Sequence, residues 1–275
     1  MRRAWHPRIS PDEYFAVIGT ALHCHTRVRI VLLVSLWLVA QPGLAQEPDW
    51  QDYAALLTAH VRSGERAGLD LKLVDYAAVA ADAHYPAALA ALTSYPLAQL
   101  DGPHERMAFF INAYNLLAIK MVVDHQPLAS IKDVGNLLWP VWKRAAGRLD
   151  GRPVSLDDIE HAHLRRAGDP RVHFAIVCAS LSCPDLRAEP YRAAALESQL
   201  DEQVTAFLAN PGKGLRVEGN TVRVSKIFAW FAADFAAQGG IEKFIARYRA
   251  LPRDAKVEAT LDYDWRLNGR VDPSP

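Results

Sequence analysis

Cysteine is scarce in this 275-residue chain, which has three, so a disulfide-dense scaffold is excluded. A surplus of one charge is missing too, since 31 Lys and Arg face 31 Asp and Glu. Binding driven by a phosphate backbone needs a cationic excess, so nucleic acid is not an expected partner. With 51% hydrophobic residues, the composition is that of a folded protein and not of a disordered chain. No internal repeat, low-complexity tract or long linker divides residues 46–275, which read as a single α+β domain.

What is present first is an address. Arg27 and Arg29 precede an eleven-residue apolar run, Ile30 to Ala40, too short to span a bilayer comfortably. Small residues at Gly43 and Ala45 follow, in the pattern a signal peptidase reads, so cleavage is expected near Ala45 with a mature start at Gln46. The expected location is periplasmic or secreted; an uncleaved anchor is the alternative, and no Cys stands at the cleavage point to carry a lipid. Residues 1–26, with His6, His23, Cys24 and His25, lie upstream of a normal charged region, and the expected true start is near Val28. Removing residues 1–45 leaves 26 basic and 29 acidic groups, a net charge of −3, and two cysteines, Cys178 and Cys183.

Helical spacing of Trp50, Tyr53, Ala54, Leu57 and Val61 predicts one amphipathic helix, and Tyr85-Pro86 and Tyr95-Pro96 bracket another. The stretch from Glu105 to Asp124 is apolar almost all round, interrupted by Asn112, Asn115 and Lys120. It reads as a central buried helix, with no membrane span in the mature chain. Asp150-Gly151 marks a hairpin turn, and Ser155 with Asp158 forms a capping-box variant opening a helix that carries Glu160, His161 and His163. Val172 to Cys178 is continuously apolar and predicts an interior strand, ending in the loop Ala179 to Pro184. Ala193 to Leu208 is helical by pattern. Gly219-Asn220 predicts a hairpin pairing Val217 with Val222 and Leu215 with Val224. Ser225 opens an aromatic-rich helix that stops at Gly239-Gly240, another follows from Ile241, and strict alternation from Lys256 to Asn268 predicts a final strand with one buried face. The predicted fold is helices packed on one small, mostly antiparallel sheet.

Six motifs occur in a recognisable order: Phe109 to Asn115, Ile159-Glu160-His161, Asp169 to Phe174, Cys178 to Pro184, Ser225 to Trp230, and Tyr263 to Asn268. Together they resemble the domain-of-unknown-function 547 family over about Tyr53 to Asn268. Ala179 stands where the family often has Gly, which bears on the loop backbone, and Phe231 where it often has Tyr, which removes a hydroxyl. Some members look like exported bacterial proteins, and the resemblance implies no catalytic assignment. The chemistry must come from the residues.

Cys178 and Cys183 read in two ways. In an exported protein with no other cysteine they form a loop disulfide; alternatively one is a nucleophile beside a Ser-rich turn whose amides form an oxyanion site. His173 is the nearest candidate base, although on a regular strand it and Cys178 point to opposite faces, which leaves Cys183 or His161 as partners. Glu160 and His163 share a helix face at i, i+3, and His161 points elsewhere. This is not the zinc-protease spacing, and neither a metal nor a cofactor is expected. Glu160 is expected to reach Arg165, Arg171 or His173. Asn112 and Asn115 either tie the helix to a loop or line a cleft; Asp264, like Asp262, is a solvated carboxylate unless it orients a histidine. Candidate binding residues are Asn115, Arg171, Ser182, Trp230 and Asp264.

Two function classes follow. The preferred one is a binding or scaffold domain of the cell envelope, with a disulfide-braced cleft for an envelope protein, peptide or glycan. The other is a thiol hydrolase or acyl transferase using Cys178 or Cys183, His173 or His161, and Asn112, Glu160 or Asp264. A papain-like or transglutaminase-like analogy is distant, because there the Cys starts the helix, whereas here Asn112 or its neighbours occupy that region.

Overall fold

Each apolar stripe predicted as helix finds a core. The computed structural model describes residues 48–270, so the apolar run, the expected cleavage point and the upstream histidines lie outside the described residues. Helix α1 (Gln51–His60) buries Tyr53, Leu56 and Leu57. It runs into an antiparallel hairpin, β1 (Val61–Arg66) and β2 (Leu69–Val74), in which Val61 pairs with Val74. The sequence pattern missed this hairpin because Arg62, Ser63, Glu65 and Arg66 leave little apolar alternation on β1. Asp75 caps α2 (Tyr76–Ala81) by accepting from the Ala78 N–H at 3.0 Å, and α3 (His84–Ser94) follows.

Helix α4 (Pro103–Asp124) is the centre of the molecule. Proline at its first position needs no hydrogen-bond partner there. The helix is long and apolar enough to cross a membrane, but 83% of its apolar window is buried inside the fold, as the internal asparagines suggested. The hairpin β3 (Ala145–Leu149) and β4 (Arg152–Ser155) turns at Asp150 and Gly151, with φ of 48° and 73°. Ser155 and Asp158 then form the reciprocal capping box of the single turn α5 (Leu156–Asp158). The helix continues as a π-helical turn, Ile159–Leu164.

Residues 172–178 are not a strand. Asp169 caps a 3-10 turn, Pro170–Phe174, and the chain then runs on irregularly to Cys178. The Asn115 carboxamide takes the place of a neighbouring strand, donating to Ala175 O at 3.0 Å and accepting from Val177 N at 2.8 Å. A continuous apolar run thus becomes interior without a sheet.

After α6 (Leu196–Ala209) comes the hairpin β5 (Leu215–Glu218) and β6 (Thr221–Ser225), in the predicted register of Val217 with Val222 and Leu215 with Val224. Three short helices follow: α7 (Ile227–Trp230), α8 (Ala232–Ala236) and α9 (Ile241–Ala246). Strand β7 (Lys256–Leu261) joins β6 in parallel. It is shorter than expected, since after Leu261 the chain leaves the sheet and bonds to loops, with Leu181 N donating to Arg266 O at 2.8 Å and Leu267 N to Ala129 O at 2.9 Å.

The α+β class therefore holds. The expected single sheet is instead two hairpins and a three-stranded sheet, with the β6–β7 pair its parallel member. The apolar residues gather in two clusters. One surrounds α4; the other is aromatic, with Phe174, Phe207, Phe228, Phe235 and Phe244 under the three-stranded sheet.

Candidate functional site

A cleft of about 290 Å³ draws its lining from both clusters. Two cavities of about 370 Å³ lie elsewhere, so size does not select this one. Convergent titratable groups, aromatic walls and the cysteine loop do.

The floor is the loop after residues 172–178. Cys178 and Cys183 are joined by a disulfide with Cα atoms 6.2 Å apart, as the preferred reading expected. The Cys178 N–H donates to Cys183 Sγ at 2.9 Å, and the Tyr263 hydroxyl lies 3.3 Å from both sulfurs. Between the cysteines, Ala179 sits at φ 59°, a left-handed conformation that glycine adopts without strain. The loop amides are not an open oxyanion site: Leu181 N is bound to Arg266 O, Ser182 N to Asp264 O and Cys183 N to Ser180 O. Ser182 lies beneath the floor, its Oγ accepting from Asp264 N at 2.8 Å. Lys213, buried, holds the loop exit by donating to Cys183 O at 2.9 Å and to Asp185 Oδ1 at 2.6 Å.

One wall is ionic. Arg165 donates to both carboxylate oxygens of Asp234, from Nε at 2.7 Å and Nη2 at 2.8 Å, and His173 Nε2 lies 2.8 Å from Asp234 Oδ2. The Arg165 guanidinium, aided by His173, pulls the Asp234 carboxyl down to about 2, so it is ionised and His173 is its N–H donor. Burial pushes His173 down to about 4, opposed by Asp234, which leaves a neutral ring. Its Nδ1 is buried without a partner. Phe231 stacks on this imidazole with centroids 3.8 Å apart, under the Arg165 guanidinium at 5.3 Å.

Glu160 faces the same space. Burial, the largest effect, raises its carboxyl to about 7 against the pull of Arg165, and its Oε1 is buried and unpartnered. Glu160 and His161 both line the cleft, whereas His163 is stacked on Phe110 at 3.8 Å against a different cavity. The expected sharing of one face by Glu160 and His163 assumed α-helical spacing; the wider π turn redistributes the side chains. His161 accepts from Arg165 Nη1 at 3.0 Å and reaches Asp157 at 3.3 Å.

The mouth is aromatic. Trp230, 47% exposed, lies 5.7 Å from Trp265 and 4.7 Å from Tyr263, and Trp142 is 6.1 Å from Trp265.

Several predicted residues sit away from this cleft. Asn112 clamps Tyr191, donating to its carbonyl at 2.9 Å and accepting from its N–H at 2.8 Å. Asn115 is used on residues 175–177, as described. Arg171 binds Asp169, Glu197 and Asp201 and does not meet Glu160. Asp264 pairs with Arg266, and no hydrogen bond joins it to a histidine among the described residues. The parity argument separating His173 from Cys178 lapses with the strand it assumed. Among the described residues, neither sulfur hydrogen-bonds an imidazole. Sequence reasoning missed Asp234, Tyr263, Trp142, Trp265 and Asp157. The aromatic side of the alternation from Lys256 to Asn268 could have flagged Tyr263 and Trp265; Asp234 carries no local signal.

The fold and site define an α+β domain with a disulfide-floored aromatic cleft. Residues 97–208 match the family model described as "Protein of unknown function, DUF547", so the resemblance read from the motifs holds over this segment. The matched segment includes Glu160, His161, His173 and both cysteines, while Trp230, Asp234, Tyr263 and Trp265 lie beyond it. No curated protein and no solved structure matches the chain.

Proposed function

We propose that the protein is an exported binding domain whose cleft holds a glycan segment of a cell-envelope ligand. The observation that carries this reading is the half-exposed Trp230 set against Tyr263 and Trp265 at the mouth. An aromatic face is electron-rich, and the polarised C–H faces of a sugar ring stack on it while its hydroxyls reach polar groups deeper in. Glu160, held largely protonated below pH 7, supplies both a donor and an acceptor there. Support for export is the Arg27 to Ala45 pattern and a disulfide suited to an oxidising compartment.

Calorimetric titration with soluble fragments of bacterial cell-wall and surface glycans tests the reading. At least one class binds, and Trp230→Ala weakens it by about tenfold, the scale of one lost stacking partner. An affinity unchanged in Trp230→Ala, or no binding across the panel, refutes it. The N-terminus of the chain recovered from its host tests export, with Gln46 the expected first residue.

A thiol hydrolase or acyl transferase is the second reading. It is favoured by the open Nδ1 of His173 and by the two donors on Cys183 Sγ, which would stabilise a thiolate once the disulfide opened. Intact-mass thiol labelling separates the readings, because a pair that stays oxidised during any activity leaves no nucleophile.

A further inference from the structure

Among the described residues, the large apolar side chains most exposed to water lie outside the cleft. Leu137 is 99% exposed, Leu138 90% and Trp139 57%. Three consecutive large apolar residues turned outward are costly in water and mark an interaction surface.

They are not held out by a slack loop. Asn136 Oδ1 accepts from Leu138 N at 3.0 Å and from Trp139 N at 2.7 Å, while Asn136 N donates to Trp139 O at 3.0 Å. This is a side-chain-closed turn. Its neck brings backbone onto backbone, since a Cβ on Gly135 would meet Val141 N at 2.4 Å. The tip is therefore a fixed apolar prow.

The chain on either side is basic. Lys132, Lys143 and Arg144 flank the tip, and Asp133, the one acidic residue from 131 to 144, is used in accepting from Ala129 N and Ser130 N. Apolar side chains with an indole beside them, flanked by cations, match the layering of a membrane surface: acyl chains, interfacial zone, anionic headgroups. We propose that loop 135–140 docks the protein on an anionic lipid surface, with Leu137 and Leu138 entering the acyl boundary, Trp139 in the interface and the flanking cations on headgroup phosphates.

The loop is continuous with the cleft. Trp142 follows it directly and packs on Trp265 at 6.1 Å, and the Lys132 ammonium lies over Trp265 at 4.8 Å. Docking would therefore open the cleft mouth next to the membrane. The inference does not depend on what the cleft binds.

The test uses the protein as recovered from its host, with vesicles of phosphatidylcholine alone and of phosphatidylcholine mixed with phosphatidylglycerol. Cosedimentation is expected with the anionic vesicles and at least about tenfold weaker with the neutral ones, as a few surface cations predict. Leu137→Asp with Leu138→Asp removes the same order of binding, about tenfold or more, while the thermal midpoint stays unchanged because both side chains are solvent-exposed. Hydrogen exchange gives the local readout: amides 136–139 slow only when anionic vesicles are present. Absence of vesicle binding overturns the proposal. So does binding that survives the double substitution without loop protection, which would assign it to another part of the surface. Loop protection that appears on concentrating the protein without lipid would overturn it in favour of a second copy.

Discussion

Two sets of buried polar groups in this protein are treated in opposite ways. On α4 both asparagines are saturated, each carboxamide giving one bond and taking one from backbone that has no strand neighbour. In the cleft, His173 Nδ1 and Glu160 Oε1 are buried and have no protein partner. A buried polar atom without a partner costs about 1–3 kcal/mol. The first set therefore ties helix to loop, whereas the second leaves two polar atoms facing the cleft without a protein partner.

The largest test of the contrast is on the saturated side. Asn112→Ala strands the Tyr191 N–H and C=O in the core and should lower unfolding free energy in urea by about 3–5 kcal/mol, two unmet groups plus a small cavity. A loss under about 1 kcal/mol would mean that water substitutes for the amide.

The open side has a pH signature. Glu160 titrates near 7 when folded against an ordinary 4.5, so the folded state keeps a proton the unfolded state has lost, and stability falls as pH rises from about 4.5 to about 7. His173 titrates near 4 against 6.5, so the unfolded state takes up a proton first on acidification, and stability rises with pH from about 4 to about 6.5. Between about 4.5 and 6.5 the two slopes oppose and the contributions of these two groups largely cancel. Glu160→Gln should uncover the histidine slope, roughly 1.4 kcal/mol per pH unit or about 2–3 kcal/mol over that window, rising with pH. His173→Gln should give the mirror image. A profile unmoved by Glu160→Gln would show that its carboxyl is solvated and end the contrast.

The smallest effect concerns the floor between the two sets. Replacing both Cys178 and Cys183 by Ser removes a six-residue closure worth about 2 kcal/mol. Because Lys213, Ser182 and Leu181 hold the loop independently, the pH profile of the cleft groups should persist. Its disappearance would make the disulfide their principal support.

How much of this was legible depended on how local the cause was. The Asp150-Gly151 turn, the Ser155–Asp158 box and the Gly219-Asn220 hairpin register were all readable because cause and effect lie within a few residues. Helix α4 was readable from its length and composition. The apolar run to Cys178 was misassigned because its hydrogen-bond partner is a side chain some 60 residues earlier, and apolarity predicts burial without saying what does the burying. The end of the last alternating stretch failed similarly, its partners being loops. Of the site, both cysteines, His173, His161, Glu160 and Trp230 were found; Asp234, a lone carboxylate in an Ala-rich helix, becomes meaningful only when Arg165 and His173 converge on it.

The parallel pairing of β6 with β7 has a mechanical consequence for that cleft. Parallel neighbours need a crossover, and this one, residues 226–255, supplies Ile227, Trp230 and Phe231 to the cleft lining and Asp234 behind His173. Both of its ends are stitched into the sheet, by the Ser225 and Leu261 pairing and by the bond from Lys256 N to Asn220 O at 2.9 Å. The position of Trp230 at the cleft mouth is therefore tied to the pairing of the sheet that brackets it.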